Sequence, residues 1–112
     1  MELNKLEISI LKRLTVLCPN IVFHIPYLEV VNRDITGVGM FVYLEYSKRI
    51  EKSLNLGKKN TSISTNEIIQ IKDLKYGLCY EVSISDDKIK YIELVTNGED
   101  WTGNIPDNFS FK

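Results

Sequence analysis

Histidine occurs once in this 112-residue chain, at His24, and cysteine only twice, at Cys18 and Cys79. That scarcity bounds the chemistry. A structural zinc site takes about four nitrogen or sulfur ligands at close spacing, and one histidine with two distant cysteines does not supply them. A calcium loop needs oxygen ligands at regular intervals, which Asp86-Asp87 does not offer. No metal and no cofactor is therefore expected. No serine stands in a Gly-x-Ser-x-Gly elbow, so a nucleophilic triad would have to be assembled by the fold around His24. Gly37-Val38-Gly39 lacks the third glycine of a phosphate cradle, and a strand rather than a helix follows it. No catalytic residue is assigned on these grounds.

Long apolar runs are also missing. Without about 18 consecutive apolar residues no spanning helix is expected, so no membrane partner is. The first residues, Met1 to Lys5, lack the basic-then-apolar order of a secretion signal, and the expected compartment is the cytoplasm. In that setting a Cys18–Cys79 disulfide would be unusual, and both cysteines read as small buried hydrophobes. Neither sign of charge dominates: 14 basic and 15 acidic residues give a net of −1. Nucleic acid is excluded as the main partner, because phosphate binding needs a basic face. The charges are nevertheless segregated. Lys48, Arg49, Lys52, Lys58 and Lys59 face only Glu51 in residues 47–59, whereas acids outnumber bases from residue 60 onward.

What is present is periodicity. Leu3, Leu6, Ile10, Leu11, Leu14, Leu17 and Cys18 recur at three- and four-residue spacings, which predicts a helix over 3–18, stopped by Pro19. Lys5, Glu7, Lys12 and Arg13 fall mostly off that stripe. Ile21 to Tyr27 reads as a short buried strand or an extended connection. Leu28 to Ile35 and Met40 to Tyr46 read as strands joined by the glycine turn, with Met40, Val42, Leu44 and Tyr46 on one face. Ser47 to Asn60 reads as a long loop. Thr61 to Ile71 fits either a strand or the start of a short helix. A second hairpin follows, Leu78 to Ser85 and Ile89 to Val95, with Asp86-Asp87 at its turn. The tail carries Phe109 and Phe111, which should pack back onto the body. The expected fold is one α+β domain over 1–112: an N-terminal helix on an antiparallel sheet of about five strands.

Candidate site residues come from the closing stretch. Trp101 offers a large apolar face with one donor, suited either to anchoring the tail in the core or to binding a partner. Glu99 and Asp100 precede it, and Glu93 lies on the strand before. These four, Glu93, Glu99, Asp100 and Trp101, form the candidate binding face. A pair of carboxylates such as Glu93 and Asp34 could instead serve as acid and base in a pocket between helix and sheet.

Two segments resemble a known family. Residues 33–41, Arg-Asp-Ile-Thr-Gly-Val-Gly-Met-Phe, are similar to the Arg-x-x-Thr-Gly-Val-Gly-aromatic segment of a family of small uncharacterised bacterial proteins. The run from Tyr91 to Trp101 resembles that family's closing Leu-Glu and Gly-x-Glu-x-Trp-like segment. Leu94 stands where the family has glycine, and Thr102 where it has proline. The resemblance implies a small α+β fold and, for some such proteins, an immunity partnership with a secreted toxin. The expected function is thus a non-enzymatic protein-binding module, with a basic toxin domain as partner. An exposed strand edge would also allow a homodimer.

Overall fold

The computed structural model describes residues 1–112. Its first helix, α1, runs Lys5–Leu14, shorter than the stripe predicts at both ends. A capping box sets the start. The Glu7 N–H donates to Asn4 Oδ1, and the Asn4 N–H donates to Glu7 Oε1, each at 2.8 Å. The helix ends a turn before Pro19, where the Thr15 hydroxyl donates to the Lys12 carbonyl and the chain tightens over Thr15–Leu17. Leu17 consequently points into solvent, whereas Cys18 turns back into the core.

Ile21–His24 forms a second, one-turn helix, α2, followed by a 3-10 turn over Ile25–Tyr27, not the strand or extended connection expected there. Residues of this kind favour strands in isolation, but Pro19 and Pro26 are both compatible with the start of a helical turn. Tertiary packing decides the outcome: Ile21 and His24 are buried and lock the turn in place.

Seven strands make one antiparallel sheet. They are β1 (Leu28–Ile35), β2 (Gly39–Tyr46), β3 (Thr61–Ile63), β4 (Ile69–Gln70), β5 (Leu78–Ser85), β6 (Lys88–Thr96) and β7 (Ser110–Phe111). Their order is β1-β2-β6-β5-β4-β7, with β3 also paired to β5. The α+β class is as expected, with two hairpins at its centre. The β5–β6 turn uses left-handed backbone at both Asp86 and Asp87, a geometry that short polar side chains tolerate. Thr61 to Ile71 resolves into two short strands rather than one strand or a helix. They are separated by a segment in which Asn66 has a positive φ.

Gly39 is required for the central pairing. A Cβ there would stand 2.3 Å from the Leu94 carbonyl oxygen, so only glycine lets β2 close on β6. The other side of the turn is held by the Thr96 N–H donating to Val38 O and the Trp101 N–H to Gly37 O.

One face of the sheet is covered by α1 and the tail. The core there holds Leu6, Ile10, Leu11 and Leu14 of the helix against Val42, Leu78, Val82, Ile92 and Leu94. Phe109 and Phe111 pack against it, as the tail's composition predicts. The region 47–60 is not a loose loop: Ile50 and Leu56 are buried, and a 3-10 turn spans Lys52–Leu54.

Glu7, expected off the apolar stripe, is fully buried on the covered face. A bulge explains how it is tolerated. β1 slips register between Val30 and Asn32, so Arg33 rather than Asn32 lies opposite the buried Val42. Arg33 Nε and Nη2 then donate to Glu7 Oε2 and Oε1, both at 2.8 Å. Donating to the Glu7 carboxylate raises the Arg33 pKa above its ordinary value.

Candidate functional site

The structure separates the four candidate site residues. Trp101 is only 5% exposed, and its indole N–H donates to the Asn104 carbonyl at 3.2 Å. It therefore anchors the closing segment in the core and is not an exposed contact. Glu99 is a clamp: its two carboxylate oxygens accept the backbone N–H groups of Lys75 and Tyr76, at 2.9 and 2.8 Å. It ties the loop after β6 to the turn before β5. Asp100 is exposed beside it. Glu93 alone lies within a strand, on the sheet face that points away from α1.

That outer face is where exposed chemistry collects. Strand alternation sends Phe41 and Tyr43 of β2 and Tyr91 and Glu93 of β6 outward, opposite the buried Val42 and Ile92. The register builds two rows. Tyr43 pairs with Tyr91, flanked by Asn32 and Ser83. Phe41 pairs with Glu93, flanked by Asp34 and Glu81. The three rings form one group. Phe41 and Tyr43 stack at 6.0 Å and 15°, and Tyr91 meets Phe41 edge-on at 5.7 Å and 68°. Tyr43 is 38% exposed, so the group presents a ring to solvent.

Carboxylates surround these rings. Glu81 stands directly opposite Glu93, and Glu29 directly opposite Glu45. Like charges facing each other across strands destabilise a sheet, by roughly 0.5 kcal/mol for each such pair. None of these four, nor Asp34, makes an ion pair; the two ion pairs in the molecule are Arg13–Glu67 and Arg33–Glu7. Lys88 and Lys90 are the basic residues of β6. The face is acidic on balance. Alternation along β2 puts Phe41, Tyr43 and Glu45 on one face; the β2–β6 pairing, which has no local signal, brings Tyr91 and Glu93 alongside.

A cleft of about 370 Å³ opens at the edge of this face, where the 64–67 segment leaves β5. Cys79, Glu81, Glu93 and Val95 line one side, and Ser64, Asn66 and Glu67 the other. Glu67 is committed elsewhere. Arg13, and then the Thr65 hydroxyl, hold its carboxyl down at about 2. Glu93 and Asp34 thus lie on the side away from α1, and the space between helix and sheet is filled by the apolar core.

His24 is fully buried and satisfied by two partners. Its Nε2 lies 2.7 Å from the Leu54 carbonyl, which can only accept, so Nε2 carries the proton. Nδ1 then accepts from the Tyr46 hydroxyl at 2.8 Å, and that oxygen accepts the Ile89 N–H at 2.9 Å. The chain of bonds joins α2, the 52–54 turn, β2 and β6. Burial pushes the Tyr46 hydroxyl up to about 12, against the Ile89 N–H, which pulls it down. Burial likewise raises the Cys18 thiol. Cys18 and Cys79 are both free, and no group of histidine, cysteine and carboxylate side chains is arranged to hold a metal ion.

No helix is long and apolar enough to cross a membrane. Comparison with protein-family models, with curated proteins and with solved structures finds no match. The resemblance of residues 33–41 and 91–101 to a bacterial family therefore rests on those residues alone.

Proposed function

We propose that this chain is a non-enzymatic protein-binding module that docks a basic partner on its outer sheet face. The observation that carries this reading is the aromatic group Phe41, Tyr43 and Tyr91, ringed by carboxylates that make no ion pair within the chain. Exposed rings supply apolar contact and cation–π acceptance, and the carboxylates supply attraction and orientation. The Glu81–Glu93 and Glu29–Glu45 oppositions raise the free energy of the unbound face. Arginine or lysine from a partner would relieve that repulsion on binding. Glu93 keeps its place in this face; Phe41, Tyr43 and Tyr91 take the anchoring role first considered for Trp101. The family resemblance favours one form of the reading, an immunity-type inhibitor whose basic partner is a bacterial toxin domain.

The test is a pull-down at moderate salt using the whole chain and a Tyr43→Ala/Glu93→Arg variant. A partner held by the parent chain and released by the variant supports the face. A partner held equally by both, or no partner at all, overturns it. Co-expression with the product of a neighbouring toxin gene would test the immunity form.

The 370 Å³ cleft favours a second reading, a small cationic ligand held by Glu81 and Glu93. Thermal-shift titration with small amines and guanidines would separate the two. A ligand-dependent rise that Glu81→Gln abolishes would favour the small-ligand reading.

A further inference from the structure

We propose that the corner between α1 and α2 is a membrane-surface contact that seats on an anionic lipid bilayer. Four large apolar side chains project there: Val16 is 84% exposed, Leu17 49%, Val22 48% and Phe23 50%. Between them Cys18 and Ile21 turn inward and fix the corner to the core. Apolar groups clustered this way on a surface mark an interaction site.

Most backbone donors of the corner are already used. The N–H groups of Thr15, Val16, Leu17, Cys18, Ile21, Val22 and Phe23 all donate to carbonyls within the corner itself. Only the Asn20 N–H of the corner lacks a partner, and the Thr15, Val16 and Leu17 carbonyls stay free for water, so the corner suits the headgroup interface of a bilayer and not its hydrocarbon centre. The corner is also held rigid from outside. Asn20 Nδ2 donates to the Asn55 carbonyl at 3.0 Å, and His24 Nε2 to the Leu54 carbonyl.

The same flanking segment supplies the charge. Lys52, Lys58 and Lys59 belong to it, and Lys12 lies in the last turn of α1. The acids nearby are Glu51, Glu67, Asp86 and Asp87, against which Lys48 and Arg49 of the same segment also stand. Glu67 is paired with Arg13, and Asp87 Oδ1 accepts the Lys58 backbone N–H at 2.8 Å. Positive charge is left in excess around an apolar tip, the pattern of segments that sit at anionic membrane surfaces. A second copy fits poorly, because two such corners would oppose lysine to lysine. Surface seating requires no spanning helix. The acidic outer sheet face lies on the far side of the sheet from α1, so it would be turned away from the lipid and remain open. This contact is independent of the function proposed for that face.

The experiment is co-sedimentation of the whole chain with phosphatidylcholine vesicles, with and without about a third phosphatidylglycerol. Retention is expected on the anionic vesicles, to fall about tenfold on neutral vesicles or at high salt. Val22→Ser and Phe23→Ser should each weaken retention by about tenfold while leaving the circular dichroism spectrum unchanged, since both side chains are exposed. Phe23→Trp should shift its emission to the blue on anionic vesicles and be quenched by brominated acyl chains. Failure of the chain to sediment with anionic vesicles overturns the proposal. So does retention indifferent to both serine substitutions, or an unquenched Phe23→Trp, since the apolar tip would then not enter the bilayer.

Discussion

On the covered face of the sheet the one buried carboxylate, Glu7, has a bidentate arginine and a backbone donor; on the open face five carboxylates stand without an ion pair. The two faces come from the same strands and alternate residue by residue. What differs is the dielectric surrounding each charge. A carboxylate removed from water must be compensated where it sits, whereas one left in water can stand opposite another at small cost. The covered face is thus constrained by folding alone. The open face holds charges that folding does not require, which is where a binding role can be sought.

The largest effect that could break this contrast is on the covered side. Arg33→Ala should leave Glu7 buried without its counter-ion and lower unfolding free energy by about 3 kcal/mol in denaturant titration. A loss under 1 kcal/mol would mean that water reaches Glu7 and that the two faces differ less than their burial indicates. Gly39→Ala comes next, at about 2–3 kcal/mol, because its Cβ would collide with the Leu94 carbonyl and push β2 from β6. It should also loosen the Phe41–Tyr91 contact, which near-ultraviolet dichroism would record.

Tyr46→Phe should cost about 1–2 kcal/mol, since the Ile89 N–H and His24 Nδ1 both lose their partner. The same hydroxyl gives a pH signature. The folded chain holds its proton more tightly than the unfolded one, at about 12 against an ordinary 10. Its contribution is therefore whole below pH 10 and lost as pH rises through about 12. Thermal unfolding across that range should show a fall in the parent chain that is smaller in Tyr46→Phe.

The smallest effect has the opposite sign. Glu93→Gln should raise stability by about 0.5 kcal/mol, by removing the repulsion from Glu81, while weakening capture of a basic partner. Stability and binding moving in opposite directions is the mark of a residue kept for binding. If both rise or both fall, Glu93 belongs with the structural residues.

Much of the fold was legible because burial on one side leaves a period in the sequence. The alternations at Met40–Tyr46 and Leu78–Ile84 gave two strands and their inward residues directly. The apolar stripe alone places the helix start too early, because the Asn4–Glu7 capping box sets it. Other features have no local signal. The bulge at Val31 matters only because Arg33 must reach a glutamate 26 positions earlier. α2 exists because Ile21 and His24 find tertiary partners, against the strand preference of their neighbours. In the candidate site, exposure of Glu93 follows from alternation, but Trp101 and Glu99 share a polar loop in sequence and opposite fates in space. One enters the core and the other clamps two backbone amides.

The strand order also has a kinetic consequence. β1–β2 and β5–β6 are local hairpins, able to form within about 1–10 μs. Pairing β2 with β6 sets Tyr43 against Tyr91 and must close a loop of about 50 residues, which costs chain entropy before it gains contacts. The seam between the hairpins, with Gly39 at one end and the tyrosine pair at the other, is thus the natural bottleneck of folding. Until it closes, the inner faces of both hairpins remain bare, and the aromatic group on the outer face does not yet exist.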